Sequence, residues 1–208
     1  MIELRRGLMN TSFSFNPWFL TNWSRAGLVL AVVLLTLLPF LAQGMTLVAF
    51  LTFLQLPIYL FHQYEEHAKG AFKAYINREL GKGKEILTDQ AIVWINIGGV
   101  WLIDLIALYL AQYINPSLGL IAIYLTVVNG VLHTLISIIT RRYNPGLWTS
   151  LILFLPVSGT MLIAVSRLTN ATLTNHLIGL GSAIILHIVI ILAIQGNRLR
   201  LMATSATK

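Results

Sequence analysis

The sequence predicts an all-α polytopic membrane bundle of six transmembrane helices with both termini cytoplasmic, and three observations predict it. The chain of 208 residues is 57% hydrophobic and only 10% charged, where soluble proteins carry roughly a quarter charged residues. Its mean hydropathy of +0.79 implies more apolar surface than one globule of this size can hide, which excludes a soluble single domain. The apolar residues also fall into six long stretches with almost no Asp, Glu, Lys or Arg inside them, the pattern of helices that cross a bilayer. In a soluble protein the net charge of +7 would suggest nucleic acid. Here it reads as loops facing an anionic leaflet, and no nucleic-acid partner is expected. With no cysteine in the chain, disulfides, thiolate metal sites and cysteine nucleophiles are excluded together. Chemistry must rest on His, Glu, Asp, hydroxyls or a cofactor.

Residues 1–25 mix Arg5 and Arg6 with Phe13, Phe15, Trp18, Phe19 and Trp23 among Ser, Thr and Asn. They lack the continuous apolar core of a signal peptide, so they are expected to form a retained interfacial arm. The membrane domain is expected over 26–196, with spans at 26–43, 45–63, 91–113, 117–139, 147–166 and 173–196. Each approaches the roughly 20 residues that a crossing helix needs. Short turns at Gln43-Gly44 and Asn115-Pro116 make antiparallel hairpins of spans 1–2 and 3–4. A polar loop, 67–90, joins spans 2 and 3, and a polar tail occupies 197–208. Thirteen of the 14 Lys and Arg fall in the arm, the 67–90 loop, the 140–146 loop and the tail, leaving Arg167 alone opposite. That positive-inside bias puts both termini in the cytoplasm, with a plasma or inner membrane expected.

The few polar residues in the spans are site candidates, because ionisable groups at membrane depth are costly and face a bundle interior or watery cavity. The densest run is His62-Gln63-Tyr64-Glu65-Glu66. Positions i, i+3 and i+4 of a helix share a face, so one imidazole and two carboxylates are expected to point together, a donor set suited to Zn, Fe or Mn. The competing reading is an interfacial helix end whose carboxylates pair with lysines. Only Lys69 has the right spacing, and that reading leaves His62 without a task. At ~1.5 Å per helical residue, His62 lies roughly 10 Å below Lys69, His133 about 12 Å below Arg141 and His187 about 16 Å below Arg198. Asn96 falls in the same layer, so three histidines from three helices can share a site. His176 lies at the opposite end of its span.

Asn129, four residues before His133, is placed to orient that imidazole or to bind substrate, or to act only as an interhelical clamp. His187 has no polar neighbour one turn away, so it is a ligand or the partner of a facing carbonyl. Arg141 and Arg142 read either as topology charges or as a clamp over the mouth of the site. For Asp104 a proton relay, a salt bridge and a structural carboxyl stay open.

His62-Gln63-Tyr64-Glu65-Glu66, Asn129 followed by His133, and Tyr143-Asn144-Pro145-Gly146 together resemble the family of multi-pass membrane proteins named for an HXXEE motif. The resemblance covers roughly 50–196, implies no settled activity, and points at His62, Glu65, Glu66 and His133. Intramembrane glutamic proteases are similar in pairing glutamates with later histidines, but they place an Arg where this chain has Gly70. Membrane desaturases use about eight histidines, and this chain has five.

The expectation is a membrane-embedded, metal-dependent enzyme acting from the cytoplasmic side on a lipid or other apolar small molecule. Its cofactor would be a divalent ion, Zn or Fe. The metal ligands come from His62, Glu65, Glu66, His133 and His187, and the glutamate not bound to metal is the catalytic base. Asn96, Asn129, Arg141 and Arg142 support the site or bind substrate. The alternatives are a carrier or proton-coupled transporter built on the same groups, a metal-free glutamate hydrolase, and a structural membrane subunit.

Overall fold

The computed structural model describes residues 15–206, and among them there is no strand. Six helical segments are long and apolar enough to cross a membrane: α1 (Pro17–Thr36), α2 (Leu47–Glu79), α3 (Asp89–Tyr113), α4 (Pro116–Thr140), α5 (Leu147–Leu168) and α6 (Leu173–Ala203). The chain is thus an integral multi-pass membrane protein in architecture. α1 lies against α2 and the start of α3, while α4 packs on α3, α5 and α6. On α6, Ile184, Ile185, Ile188, Val189 and Leu192 point outward, an apolar face of the kind that meets lipid.

The first helix starts nine residues before the expected span. Asn16 accepts the Trp18 N–H at 2.8 Å and Pro17 occupies the first helical position, which together make a strong helix start. Phe19, Leu20 and Trp23, expected in an interfacial arm, pack instead on Ile86, Leu87 and Val93. The part of that arm before residue 15 lies outside the described residues. The helix breaks at Leu37, ahead of Pro39, and helical structure resumes over Leu38–Leu41 and Ala42–Gly44, close to the expected end at 43.

The stretch 67–90, expected as a loop, is largely structured. After His67 the chain turns through Lys69 (φ 57°) and Gly70 (φ 69°) and resumes as helix over Ala71–Glu79. Asn77 then staples the remainder: its Oδ1 accepts the N–H groups of Ile86 and Leu87 at 3.0 and 2.9 Å, and its Nδ2 donates to the Leu87 carbonyl at 3.0 Å. Lys73 pairs with Glu85 and Asp89, each at 2.7 Å. At the far end of the sequence, α6 carries on as helix to Ala206, through most of the expected tail.

Two segments are π-helical, Trp94–Trp101 within α3 and Ser150–Ser158 within α5. Each adjoins the polar cluster described next, as π-bulges often do at functional sites. At the opposite end of the bundle the Gln112 side chain ties the α1–α2 turn down, donating to the Gly44 carbonyl and accepting the Thr46 N–H, both at 3.0 Å.

Candidate functional site

The HXXEE run splits into two faces. His62 and Glu66, four residues apart, face the interior toward α4. Glu65 lies about 100° round the helix and faces the start of α5. There its Oε1 accepts the Trp148 N–H (3.1 Å) and the Tyr143 hydroxyl (2.9 Å), and its Oε2 accepts the Thr149 N–H (2.7 Å) and the Thr149 hydroxyl (2.6 Å). The residue that caps α5 is Gly146, which has no side chain to satisfy the first N–H groups. Glu65 supplies that cap from another helix, and its charge suits the positive end of the α5 dipole. So the two carboxylates face different partners. Tyr143, outside the spans, has its phenol pushed up to about 12, first by burial and then by the bond and charge of Glu65.

His62, Glu66 and His133 form a buried group whose ligand-capable atoms all lie within 4.8 Å of one another. His62 Nε2 is 3.6 Å from Glu66 Oε2, and His133 Nε2 is 3.5 Å from Glu66 Oε1. The other ring nitrogens assign the tautomers. His62 Nδ1 lies 2.8 Å from Thr149 Oγ1. That hydroxyl spends its own hydrogen on the Glu65 carboxylate at 2.6 Å or the Gly146 carbonyl at 3.3 Å, so His62 Nδ1–H is the donor. His133 Nδ1 lies 2.5 Å from Asn144 Oδ1, while Asn144 Nδ2 donates to the His133 carbonyl and to Ser137 Oγ, both at 2.9 Å. His133 Nδ1–H is therefore the donor as well. Both imidazoles turn an Nε2 lone pair toward the same carboxylate, and His62 Nε2 is buried without a hydrogen-bond partner.

Three acceptors meeting out of water call for a cation or a proton between them. Zn–N and Zn–O bonds of about 2.0–2.2 Å set neighbouring ligand atoms of a tetrahedral site roughly 3.3–3.5 Å apart. The two histidine–glutamate separations, 3.6 and 3.5 Å, are close to that spacing, and all three ligand atoms lie within 4.8 Å of one another. Ligating histidines commonly hand their second N–H to an acceptor that fixes ring and tautomer, as Thr149 and Asn144 do.

Packing holds the rings in place. Phe154 lies 4.2 Å from the His62 ring, centroid to centroid, and the two imidazoles stand edge to face at 4.9 Å. Gly146 has φ +96°, and a Cβ there would come 2.7 Å from His62 Cε1 and 2.9 Å from His133 Cε1. No residue with a side chain fits that turn without moving the rings.

His67 also reaches the group, its Nε2 lying 3.1 Å from Glu66 Oε2 and 3.2 Å from Asn96 Nδ2. Asn96 accepts from Gln63 Nε2 at 2.8 Å, and Gln63 accepts from Trp101 Nε1 at 2.6 Å. This buried chain of side chains ties α2 to α3 behind the site. A cavity of about 370 Å³ opens on Glu66, His67 and His133, bounded by α2, α3, α4 and α6.

The other expected site residues fall elsewhere. Asn129 lines the cavity but donates to the Tyr59 hydroxyl, and Asn144 orients His133 in its place. His187 lines the cavity wall too, donating Nδ1–H to the Ala183 carbonyl at 2.8 Å, outside the three-residue group. Arg141 and Arg142 are exposed at the end of α4 and do not line the cavity. Asp104 is buried with neither carboxylate oxygen hydrogen-bonded, and it forms no salt bridge among the described residues. His176 bonds the Tyr124 hydroxyl at 2.8 Å, well away from the site. Asn144, Gly146 and Thr149 are not singled out as site residues from the sequence, and His67, one of the polar residues at the end of the second span, is given no role there. Asn144 and Gly146 stood in a run read as a turn, whereas Thr149 carried no signal.

Residues 53–161, more than half of the chain, match a family described as a protein of unknown function with HXXEE motif. The chain belongs to the HXXEE family. No curated protein and no solved structure matches it. The matched stretch holds the whole His62, Glu66 and His133 group with Asn144, Gly146 and Thr149, while His187 lies beyond it. The residues that name the HXXEE family thus serve two ends: His62 and Glu66 build the buried group, and Glu65 anchors α5 beside it.

Proposed function

We propose that this protein is a membrane-embedded, metal-dependent enzyme acting on a lipid or other apolar molecule, with a divalent ion held by His62, Glu66 and His133. One observation carries the reading: two imidazole lone pairs and a carboxylate converge in a dry site, each imidazole fixed through its second nitrogen. Two histidines and one carboxylate are a donor set that serves both Zn hydrolases and non-haem Fe(II) oxygenases. Three protein ligands with one side facing a cavity also suit a catalytic site better than a closed structural one. Such an ion would polarise a substrate oxygen or lower the pKa of water at the site.

The chain's own residues do the rest. His62 is sealed against Phe154, so any substrate meets the group from the Glu66 and His133 side. His67, beside Glu66 and on the cavity wall, is placed to take or return a proton at that carboxylate's edge. Glu65 is committed to the α5 cap and is no longer the best choice for the base. The site lies at the end of the bundle that carries the basic loops, and the positive-inside bias puts that end in the cytoplasm.

The test is the metal content of detergent-purified protein. We expect about one transition-metal ion per chain, lost in His62→Ala and in Glu66→Gln variants that keep their helical circular dichroism. A wild type without metal, or variants that retain it, would overturn the reading.

A further inference from the structure

The cavity's chemistry narrows the substrate class, an inference that rests on the enzyme reading above. At about 370 Å³ the cavity falls within the ~300–1,000 Å³ of small-molecule sites. Away from the His/Glu group its walls are mostly aliphatic and aromatic, with Leu186, Ile190 and Ile194 of α6 beside Ile76 and Leu87. The lining residues Leu80, Ile136 and Ile191 are exposed at 40%, 40% and 54%. An opening rimmed by Ile136 of α4 and Ile191 of α6, with Leu80 just past the end of α2, faces hydrocarbon more readily than water. Among the described lining residues none is Lys or Arg, and Glu66 is the one carboxyl. The remaining polar groups are amides, imidazoles and phenols, which can hydrogen-bond an oxygen but carry no permanent positive charge to balance an anion. In the chain without its ion, a phosphate or carboxylate drawn into this cavity would be desolvated beside Glu66 with no cationic side chain among the described lining residues to pair with.

We infer that the cavity takes a single apolar chain ending in an uncharged oxygen function (a long-chain alcohol, aldehyde, ester or amide), admitted sideways from the bilayer past Leu80, Ile136 and Ile191. The oxygen then lies against Glu66 and His133, within the layer that His187 also lines.

Photo-crosslinking tests this. The full chain, reconstituted in phosphatidylcholine nanodiscs and stripped with chelator, is exposed to diazirine-bearing probes of one chain length: a fatty alcohol, the matching fatty acid and a lysophosphatidate. We expect the alcohol to label cavity residues on α6 and α4 at least about tenfold over either anion, since an unpaired charge moved out of water costs more than the ~1.4 kcal/mol of a tenfold ratio. Ile190→Trp should remove that labelling, and Leu186→Phe serves as a second blocking variant if the first does not fold. Equal labelling by the anions, labelling confined to outward residues such as Ile185 and Val189, or labelling unchanged in a folded blocking variant would overturn the inference. Because the probes are read on stripped protein, the outcomes separate. Metal binding without selective labelling would sink the substrate class alone, and selective labelling of a chain that binds no metal would sink the metal reading alone.

Discussion

Glu65 and Glu66 are neighbours in sequence with opposite assignments, and exchanging each for an amide separates them. Glu65→Gln keeps a side chain of the same size but weakens the acceptor of four hydrogen bonds at the start of α5. We expect a loss of about 1 kcal/mol in stability, with metal content retained. Glu66→Gln should show the reverse, and thermal unfolding together with metal analysis reads both. Asn144 acts through His133. Asn144→Leu should weaken metal affinity by about 10–100-fold, measured against a competing chelator, whereas Asn144→Asp retains an acceptor for Nδ1–H and should recover most of it. Gly146→Ala should remove metal binding outright, since its Cβ would enter the space of both imidazoles.

At the scale of elements, the site depends on where α5 begins. Tyr143, Glu65 and Thr149 form one knot that joins the α4–α5 turn to α2 and fixes the His62 tautomer. Tyr143 donates only while protonated, and its folded pKa of about 12 stands above the ordinary 10.0. A raised pKa favours the protonated form in the fold. The stabilising contribution is therefore complete below about pH 10 and is lost as pH rises through about 12. Wild type should unfold at a higher temperature than Tyr143→Phe at pH 8, and the gap should close in that alkaline window. The break in α2 at Lys69 and Gly70 serves the same end. It stops the helix after His67 and swings Phe72, Tyr75 and Ile76 into the cavity wall.

Across the whole molecule, the orientation expected from the charge bias can be tested apart from chemistry. The chain has no cysteine, so single cysteines report sidedness directly. Lys82→Cys, exposed between α2 and α3, should react only with reagent on the cytoplasmic side, and Gln43→Cys, exposed in the α1–α2 turn, only from the other. The opposite pattern would invert the bundle and put the site on the outer side.

Six spans, their approximate limits and the basic end of the bundle were legible because hydropathy and charge placement are properties of composition along the chain. So was the pairing of His62 with Glu66, since a four-residue spacing on a helix settles which side chains are stacked. Depth arithmetic put His133 in the right layer but also admitted His187, because rise along an axis says nothing of rotation about it. Rotation is set by packing. Gly146 seated against two imidazoles, Phe154 lying on His62, and the bare N-terminus of α5 drawing Glu65 away decided which polar groups meet. Those contacts join residues about 80 positions apart, from Glu65 to Tyr143 and Thr149, and no local spacing rule reaches that far.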